Sequence, residues 1–250
     1  MAEMGRLDRG DGVELAWARL PGKSPTVVFL PGFGSDMAGE KAMALADWCG
    51  AHGQAMLRLD YSGHGVSGGR FTDGSIGRWM EDARCIIEKM TQGALLLVGS
   101  SMGGWIALLL ARAMPERVAA IVGIAAAPDF TERMWENMTP LERTTLTNGG
   151  VLARPSQYGE PYELSRGLFE DGRRHLLLHA PLPIGCPVRL LHGQQDADVA
   201  WELALTIAER LASSEVQVTL VKDGDHRLSR PQDLVLLRRT VAGLLGEVGG

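Results

Sequence analysis

Short apolar runs alternate with amphipathic stretches along most of the chain. The apolar runs consist mainly of β-branched and aliphatic residues, a composition typical of strands that are buried on both faces. They predict six such strands, at residues 26–30, 54–60, 94–98, 118–124, 188–191 and 216–221. The amphipathic stretches predict helices at residues 38–52, 74–90, 102–114, 199–211 and 231–245. Buried strands separated by helices indicate an α/β protein with a mostly parallel sheet covered by helices on both faces.

Two parts of the chain depart from this rhythm. In segment 13–20, apolar Val13, Leu15 and Trp17 alternate with other residues, which predicts an antiparallel strand at the edge of the sheet. Segment 127–187 contains seven prolines, with amphipathic pieces at 130–138 and 141–147. We therefore predict a core formed by residues 1–127 and 184–250, and a small helical lid or cap formed by residues 128–183. The alternative is a helical subdomain with no gating role.

The chain from Leu95 to Gly104 predicts a strand, a sharp turn and a helix, with the pattern G-x-S-x-G at the turn. This arrangement is typical of a nucleophile elbow, in which the central serine is held in a strained backbone conformation. The central residue is Ser101. Gly99 and Gly103 provide room, because a Cβ at either position would collide across the turn.

Two further polar residues follow predicted strands and complete a candidate catalytic triad. Asp196 follows strand 188–191, and His226 follows strand 216–221. The carboxyl ends of parallel strands share one edge of a sheet, so we expect both side chains near Ser101. Neutral imidazole can take the serine proton at pH 7, and a carboxylate on its other nitrogen orients the ring. The sequence therefore predicts His226 as the base and Asp196 as the acid.

Other residues compete for these roles. Asp198 is the weaker candidate for the acid, and Asp225 is expected to be a loop carboxylate. His64 and His192 are expected to be structural hydrogen-bonding residues. The remaining histidines lie in sequence predicted as helix or lid and are not favoured: His52, His175 and His179.

An oxyanion formed at the serine needs preorganised hydrogen-bond donors. The amide of Met102, at a helix N-terminus, is the first predicted donor. The second is the amide of Phe33, in the glycine-rich loop 31–34 that follows strand 26–30. By itself this loop is better explained as an ordinary turn at a strand end, and the predicted triad reverses that preference in favour of the oxyanion role.

Composition excludes several classes of function. The net charge is −5 without a run of basic residues, so we expect no nucleic-acid partner. The longest apolar run, 118–128, is too short to span a bilayer. Three widely spaced cysteines match no zinc motif and are expected to be reduced. The acidic N-terminus lacks a targeting pattern, so we expect a cytoplasmic protein, or a mitochondrial one if a presequence has been removed.

Several segments together resemble the alpha/beta-hydrolase family over nearly the whole chain. They are residues 29–33, 58–63, 98–105, 155–158, 177–183, 189–193 and 225–227. The chain is most similar to the branch that contains mitochondrial acyl-glucuronide esterases and palmitoyl-protein thioesterases. The resemblance implies a mostly parallel sheet flanked by helices, with a small helical lid inserted after the sixth strand. It also implies a serine hydrolase with Ser101, Asp196 and His226 as its triad.

We therefore expect a serine carboxylesterase or acyl thioesterase (class EC 3.1) that works through an acyl-enzyme on Ser101, with no cofactor or metal. Its substrate would be a small ester or thioester, or an acylated protein, with an apolar acyl group. A flexible apolar wall is expected from Phe33, Met37, Trp105, Met134, Trp135 and Met138, unless these pack the core. Three alternatives remain open. The first is a serine peptidase or C–C bond hydrolase with the same triad, and the second is a perhydrolase-like or haloperoxidase-like side activity of the same site. The third is a binding module with an inactive triad. The sequence leaves oligomeric state and acyl length undetermined.

Overall fold

The computed structural model describes residues 2–156 and 159–249, without the side chains of residues 155, 156, 159 and 160. Its strands are β1 (Glu3–Asp8), β2 (Glu14–Leu20), β3 (Lys23–Leu30), β4 (Gln54–Leu59), β5 (Leu95–Ser100), β6 (Val118–Ile124), β7 (Leu152–Ser156), β8 (Gly159–Leu164), β9 (Val188–Gly193) and β10 (Val216–Val221). Its helices are α1 (Glu40–His52), α2 (Ile76–Met90), α3 (Met102–Ala113), α4 (Phe130–Glu136), α5 (Pro140–Thr147), α6 (Arg166–Gly172), α7 (Glu202–Arg210) and α8 (Pro231–Val248).

Eight of the strands form one sheet in the order β1-β2-β4-β3-β5-β6-β9-β10. Strands β4, β3, β5, β6, β9 and β10 are parallel to one another, whereas β2 runs antiparallel to both β4 and β1. The predicted parallel sheet with flanking helices is confirmed. The predicted edge position of segment 13–20 is wrong, because β1 pairs with β2 and forms the edge itself. Strand β1 is largely exposed and therefore lacks the apolar pattern that revealed the other strands.

Alternate residues of the central strand β5 face two separate cores. Leu95 and Leu97 pack with residues of α2, α3 and α7 on one face of the sheet. Leu96 and Val98 pack with residues of α1 and α8 on the other face. Side chains of successive strand residues point to opposite faces, so a strand covered on both faces must be apolar throughout. This is the physical reason for the unbroken aliphatic run in the sequence.

The chain between β6 and β9 forms a layer beyond the carboxyl edge of the sheet. It contains α4, α5, α6 and a two-stranded antiparallel hairpin formed by β7 and β8. The predicted insertion after the sixth strand contains helices, and the hairpin that joins two of them was not predicted. Helices α4 and α5 lie where amphipathic pieces were predicted. Gln157 and Tyr158, part of a segment that carried the family resemblance, lie outside the described residues.

Candidate membrane-spanning helices were sought throughout the described part of the chain. Each helix there is too short or too polar to cross a bilayer.

Close backbone packing holds the turn between β5 and α3. A Cβ on Gly103 would meet the carbonyl oxygens of Leu30 and Pro31, at the end of β3. A Cβ on Gly99 would meet the backbone of Gly103 across the same turn. Both glycines are therefore required because other backbone segments occupy the space of a side chain.

We predict that Gly103→Ala lowers the free energy of unfolding by about 1–3 kcal/mol, the usual cost of overpacking a tightly packed site. The added methyl must displace backbone, which cannot change rotamer as a side chain can. Urea denaturation of both proteins measures the difference. The matched control is Gly246→Ala in helix α8, where a Cβ meets nothing within 4 Å. That control should unfold at the same or a higher urea concentration. An equal change in the free energy of unfolding for Gly103→Ala and Gly246→Ala would contradict the packing argument.

Candidate active site

Ser101 lies at the turn between β5 and α3, at the carboxyl edge of the sheet. Its backbone has φ +54°, a left-handed conformation that non-glycine residues adopt rarely. The turn is secured because the amide of Ser101 donates to the carbonyl of Ile124 on β6 (2.9 Å), and the amide of Ala127 donates to the carbonyl of Ser101 (3.1 Å). This strained position lifts the hydroxyl of Ser101 above the sheet, as the sequence pattern predicts.

The structure brings the three predicted triad residues into one line of hydrogen bonds. The hydroxyl of Ser101 lies 3.1 Å from Nε2 of His226. Nδ1 of the same ring lies 2.8 Å from Oδ2 of Asp196. Asp196 follows β9, and His226 follows β10. Residues separated by up to 125 positions in the chain therefore meet because their strands end at one edge of the sheet.

The carboxylate of Asp196 is completely buried and fully hydrogen-bonded. Its Oδ1 accepts from the amides of Asp198 (2.9 Å) and Val199 (2.8 Å). Its Oδ2 accepts from His226 and also from Nε2 of His192 (3.0 Å). Burial alone would raise the pKa of Asp196, but the hydrogen bonds from His192 and His226 outweigh it and lower that pKa strongly. Asp196 is therefore a carboxylate in the pH range of enzymatic activity.

His192 contributes to the site in a way that the sequence did not reveal. It is buried at the end of β9, and its Nε2 lies near both Asp196 and the carbonyl of Val199 (3.1 Å). Both neighbours are acceptors, so this nitrogen carries the hydrogen and donates. His192 was expected to be a structural hydrogen-bonding residue, and the residue that it holds is the predicted catalytic acid. The available signal was its position four residues before Asp196, at a strand end.

The loop after β3 lies directly against Ser101. A Cβ on Gly32 would approach Cβ of Ser101 to 3.4 Å. The amide of Ser35 donates to the carbonyl of Gly32 (3.1 Å), and Gly34 has φ +68°. These features define a tight turn across Gly32–Ser35, with Phe33 in its middle. Met102 is the first residue of α3, so the two predicted oxyanion donors lie on backbone segments that flank Ser101.

A cavity of about 600 Å³ opens over Ser101. One wall is apolar and contains Phe33, Phe130, Met134 and Tyr162. The ring of Phe33 makes edge contacts with Phe71, Trp79, Phe130 and Tyr162, at centroid distances of 4.9–5.7 Å. Of the six apolar residues proposed for this wall, only Phe33 and Met134 line the cavity. Trp105 and Met138 are buried in the core instead, and Trp135 packs against Phe169.

The cavity also has polar and charged lining residues, among them Lys41 and Arg133. Lys41, at the start of α1, donates to the carbonyl of Arg227 and to the hydroxyl of Ser229 (3.3 Å). These contacts tie α1 to the loop that carries His226. Burial, together with the charge of Arg227, lowers the pKa of Lys41 to about 8. The half-buried guanidinium of Arg133 on α4 also lines the cavity.

One group of residues in the described part of the chain has the geometry to hold a cation. Ligand atoms of Asp196, Asp198 and His226 lie within 4.8 Å of one another. A cation there would compete with the hydrogen bond between Asp196 and His226 that orients the imidazole. In the present arrangement, Nδ1 of His226 and Oδ2 of Asp196 are engaged with each other.

The remaining candidates lie apart from the line of triad hydrogen bonds. The carboxylate of Asp225 accepts from the amide of Leu228 (3.0 Å) within its own loop. His52 stacks on Trp48, and His175 lies 3.5 Å from the carboxylate of Asp171. His64 is buried, and its Nε2 accepts from the amide of Gly34 (3.1 Å) in the turn beside Ser101.

A parallel sheet with a strained serine between its central strand and the following helix defines an alpha/beta-hydrolase. A family model described as serine aminopeptidase, S33 (Hydrolase_4) matches residues 23–174. The chain therefore belongs to this family of alpha/beta-hydrolases, and the resemblance stated from the sequence motifs is confirmed.

Individual relatives support the same assignment. A bovine protein (Bos taurus) named palmitoyl-protein thioesterase ABHD10, mitochondrial, is 40% identical over 245 residues, which cover 97% of this chain and 80% of the relative. The structure of alpha/beta hydrolase domain-containing protein 10 from mouse superposes with a TM-score of 0.90 at 37% identity, covering 98% of this chain and 99% of that one. A protein from Agrobacterium vitis S4 superposes with a TM-score of 0.93 at 39% identity and the same coverage.

The burial of His64 predicts a pH dependence of stability. Burial lowers its pKa from 6.5 to about 4, so the folded protein keeps this ring neutral. The unfolded chain takes up a proton below pH 6.5, whereas the folded chain does so only near pH 4. Falling pH therefore favours unfolding, and His64 should account for a loss of about 3 kcal/mol across this window.

Urea denaturation between pH 7 and pH 4 measures this loss. His64→Gln removes the titrating group, so the free energy of unfolding of that variant should depend less steeply on pH. Parallel pH profiles for the two proteins would contradict the prediction.

Proposed function

We propose that this chain is a serine hydrolase that cleaves esters or thioesters of apolar acyl groups through an acyl-enzyme on Ser101. The observation that carries the proposal is the hydrogen-bonded line from Ser101 through His226 to the buried carboxylate of Asp196, open to a cavity with an apolar wall. Catalytic roles for these three residues, and for the amides of Phe33 and Met102, are part of the proposal.

In the acylation step, Oγ of Ser101 attacks the carbonyl carbon of the substrate while its proton passes to Nε2 of His226. The imidazolium formed is stabilised by Asp196, whose lowered pKa keeps it ionised. The carbonyl oxygen becomes an oxyanion and accepts hydrogen bonds from the amides of Phe33 and Met102. When the intermediate collapses, the alcohol or thiol leaves with the proton from His226, and the acyl group remains on Ser101.

Deacylation repeats these steps with water as the nucleophile. His226 takes a proton from water, whose oxygen attacks the acyl carbon of the ester on Ser101. The second oxyanion uses the same two amides. Collapse releases the carboxylic acid and returns the proton to Ser101, so the cycle consumes one water and needs no further group.

The apolar wall supports an acyl chain as the group bound beside Ser101. Phe33, Phe130, Met134 and Tyr162 can pack against methylene groups, and the thioether of Met134 adapts to irregular shapes. The names of the curated relatives describe palmitoyl-protein thioesterases, which agrees with a long acyl chain and with an acylated protein as one kind of substrate. A small ester or thioester is the other kind.

Residues 128–183 are proposed to act as a cap over this site. The support is that Phe130, Arg133, Met134, Asn137, Arg154 and Tyr162 line the cavity. Access to Ser101 would then depend on α4 and the β7–β8 hairpin.

The alternatives from the sequence make different predictions. A peptidase on this fold would cleave amides, and a C–C bond hydrolase would cleave diketones. A panel of ester, thioester, amide and diketone substrates separates these activities. A binding module with an inactive triad would cleave none of them and would not react with a fluorophosphonate.

The names of the relatives give a better basis than the composition for proposing a cellular compartment. The curated relatives carry "mitochondrial" in their names, which is a statement about those proteins. It gives the expected cytoplasmic location no support. We therefore propose mitochondria as the compartment to examine first.

The nucleophile is tested by Ser101→Ala, measured with a p-nitrophenyl ester and the matching thioester. Turnover should fall by about four to six orders of magnitude, because no other hydroxyl occupies the position of Oγ. Labelling by a fluorophosphonate should also disappear, while circular dichroism stays unchanged. Retained turnover in the folded variant would overturn the proposal.

The acid is tested by comparing Asp196→Asn with Asp198→Asn. The first change removes the charge behind His226 and favours the wrong tautomer, so kcat should fall by about three to four orders of magnitude. The second change alters an exposed side chain and keeps the amide that donates to Asp196, so kcat should stay within about tenfold. A larger loss for Asp198→Asn would reverse the assignment.

A further inference from the structure

We propose that His64 is a positioning residue for the oxyanion hole. His64 holds the amide of Gly34, and this contact directs the preceding amide, that of Phe33, at the reacting carbonyl. The inference rests on the proposed function, because it assigns a role to a residue that acts through the oxyanion loop. His64 itself touches neither Ser101 nor the cavity.

The first support is the geometry of the turn. In the turn Gly32–Ser35, the bond from the amide of Ser35 to the carbonyl of Gly32 closes the backbone. That bond does not involve the amides of the two middle residues, Phe33 and Gly34. Nε2 of His64 accepts from the amide of Gly34 at 3.1 Å. Since the two amides belong to adjacent peptide units, fixing one direction restricts the other.

The second support is the tautomer of the ring. Nδ1 of His64 lies 3.2 Å from the carbonyl of Ser62, which can only accept, so Nδ1 carries the hydrogen. Nε2 is then an acceptor, as the amide of Gly34 requires. Burial lowers the pKa of His64 to about 4, so the ring keeps this neutral form at pH 7. A protonated ring would present a second N–H to the amide of Gly34 and lose the bond.

The third support is the rigidity of the group that holds the ring. The carbonyl of Ser62 also accepts from Nε1 of Trp79 (3.1 Å). The amide and hydroxyl of Ser62 donate to the fully buried carboxylate of Asp82 (2.8 and 2.6 Å). The imidazole itself packs between the rings of Tyr61, Phe71 and Trp79, with centroids 5.0–5.5 Å away. His64 therefore has little freedom to follow the loop.

Asp60 holds the remainder of the loop that follows β3. The carboxylate of Asp60 accepts from the amide of Met37 (2.7 Å) and from that of Val66 (3.0 Å). Loss of the bond from His64 would therefore leave the loop in place and free only the turn. The expected effect is on the direction of the Phe33 amide, with the fold and the second donor, Met102, unchanged.

The test compares two variants that each keep one half of the hydrogen bonding of His64. His64→Gln can place its amide oxygen near the position of Nε2 and accept from Gly34. His64→Asn can place its amide nitrogen near the position of Nδ1 and donate to Ser62, but it cannot reach Gly34. The control is His52→Gln, at an exposed histidine on α1.

The measurements are kcat and KM with a p-nitrophenyl ester, the inhibition constant of an alkyl trifluoromethyl ketone, and the melting temperature. The ketone forms an oxyanion on the serine and so reports on the hole directly. We expect kcat of His64→Asn to fall by about tenfold to a hundredfold, less than the roughly 10²–10³-fold cost of deleting an oxyanion donor. Its KM should change by less than about twofold. The inhibition constant of the ketone should rise by the same factor by which kcat/KM falls.

His64→Gln should keep kcat within about threefold of the parent and His52→Gln should match it, because both retain the bond to Gly34. A purely structural role would lower the melting temperature of the two His64 variants with kcat of the folded fraction unchanged, and that result would overturn the proposal. Equal kcat for His64→Asn and His64→Gln would overturn the proposal as well. Failure of the proposed function is distinct, since it shows as turnover that survives Ser101→Ala whatever happens at His64.

Discussion

Close packing of backbone around one strained turn is the constraint on which the site depends. Ser101 adopts a positive φ, and the glycines on either side of it leave room for the ends of β3 and β5 to meet. This packing brings the loop after β3 against the serine and directs the N-terminus of α3 at the same point. The nucleophile and both proposed oxyanion donors therefore share one rigid unit, and the two apolar cores on either face of β5 hold that unit in place.

Buried polar groups extend this unit in two directions. On one side, His192 and two backbone amides hold the carboxylate of Asp196, which in turn orients His226. On the other, His64 and Asp60 hold the loop that contains Phe33. Each group has its hydrogen-bond partners, as burial requires, because an unpaired polar group in a dry interior is costly. Groups fixed in this manner need little reorganisation when charge develops in a reaction, which is the condition for electrostatic catalysis.

The layer beyond the sheet supplies part of the lining of the cavity over Ser101. Its helices and hairpin contribute apolar Phe130, Met134 and Tyr162 and charged Arg133 and Arg154 to the lining of the cavity. This mixed lining agrees with the proposed substrate, which has an apolar acyl group and a polar leaving group. The family relationship agrees with such chemistry.

The sequence by itself determined the parallel sheet and pointed to Ser101, Asp196 and His226. Strands covered on both faces must be apolar throughout, and a serine between two spaced glycines marks a strained turn. Only the tertiary structure decided that β1 forms the edge, that β7 and β8 form a hairpin, and which aromatic residues line the cavity. The contacts of His192 with Asp196 and of His64 with Gly34 also belong to this second group. Such features depend on which segments meet in space, and a polar side chain carries no local pattern that reveals its distant partner.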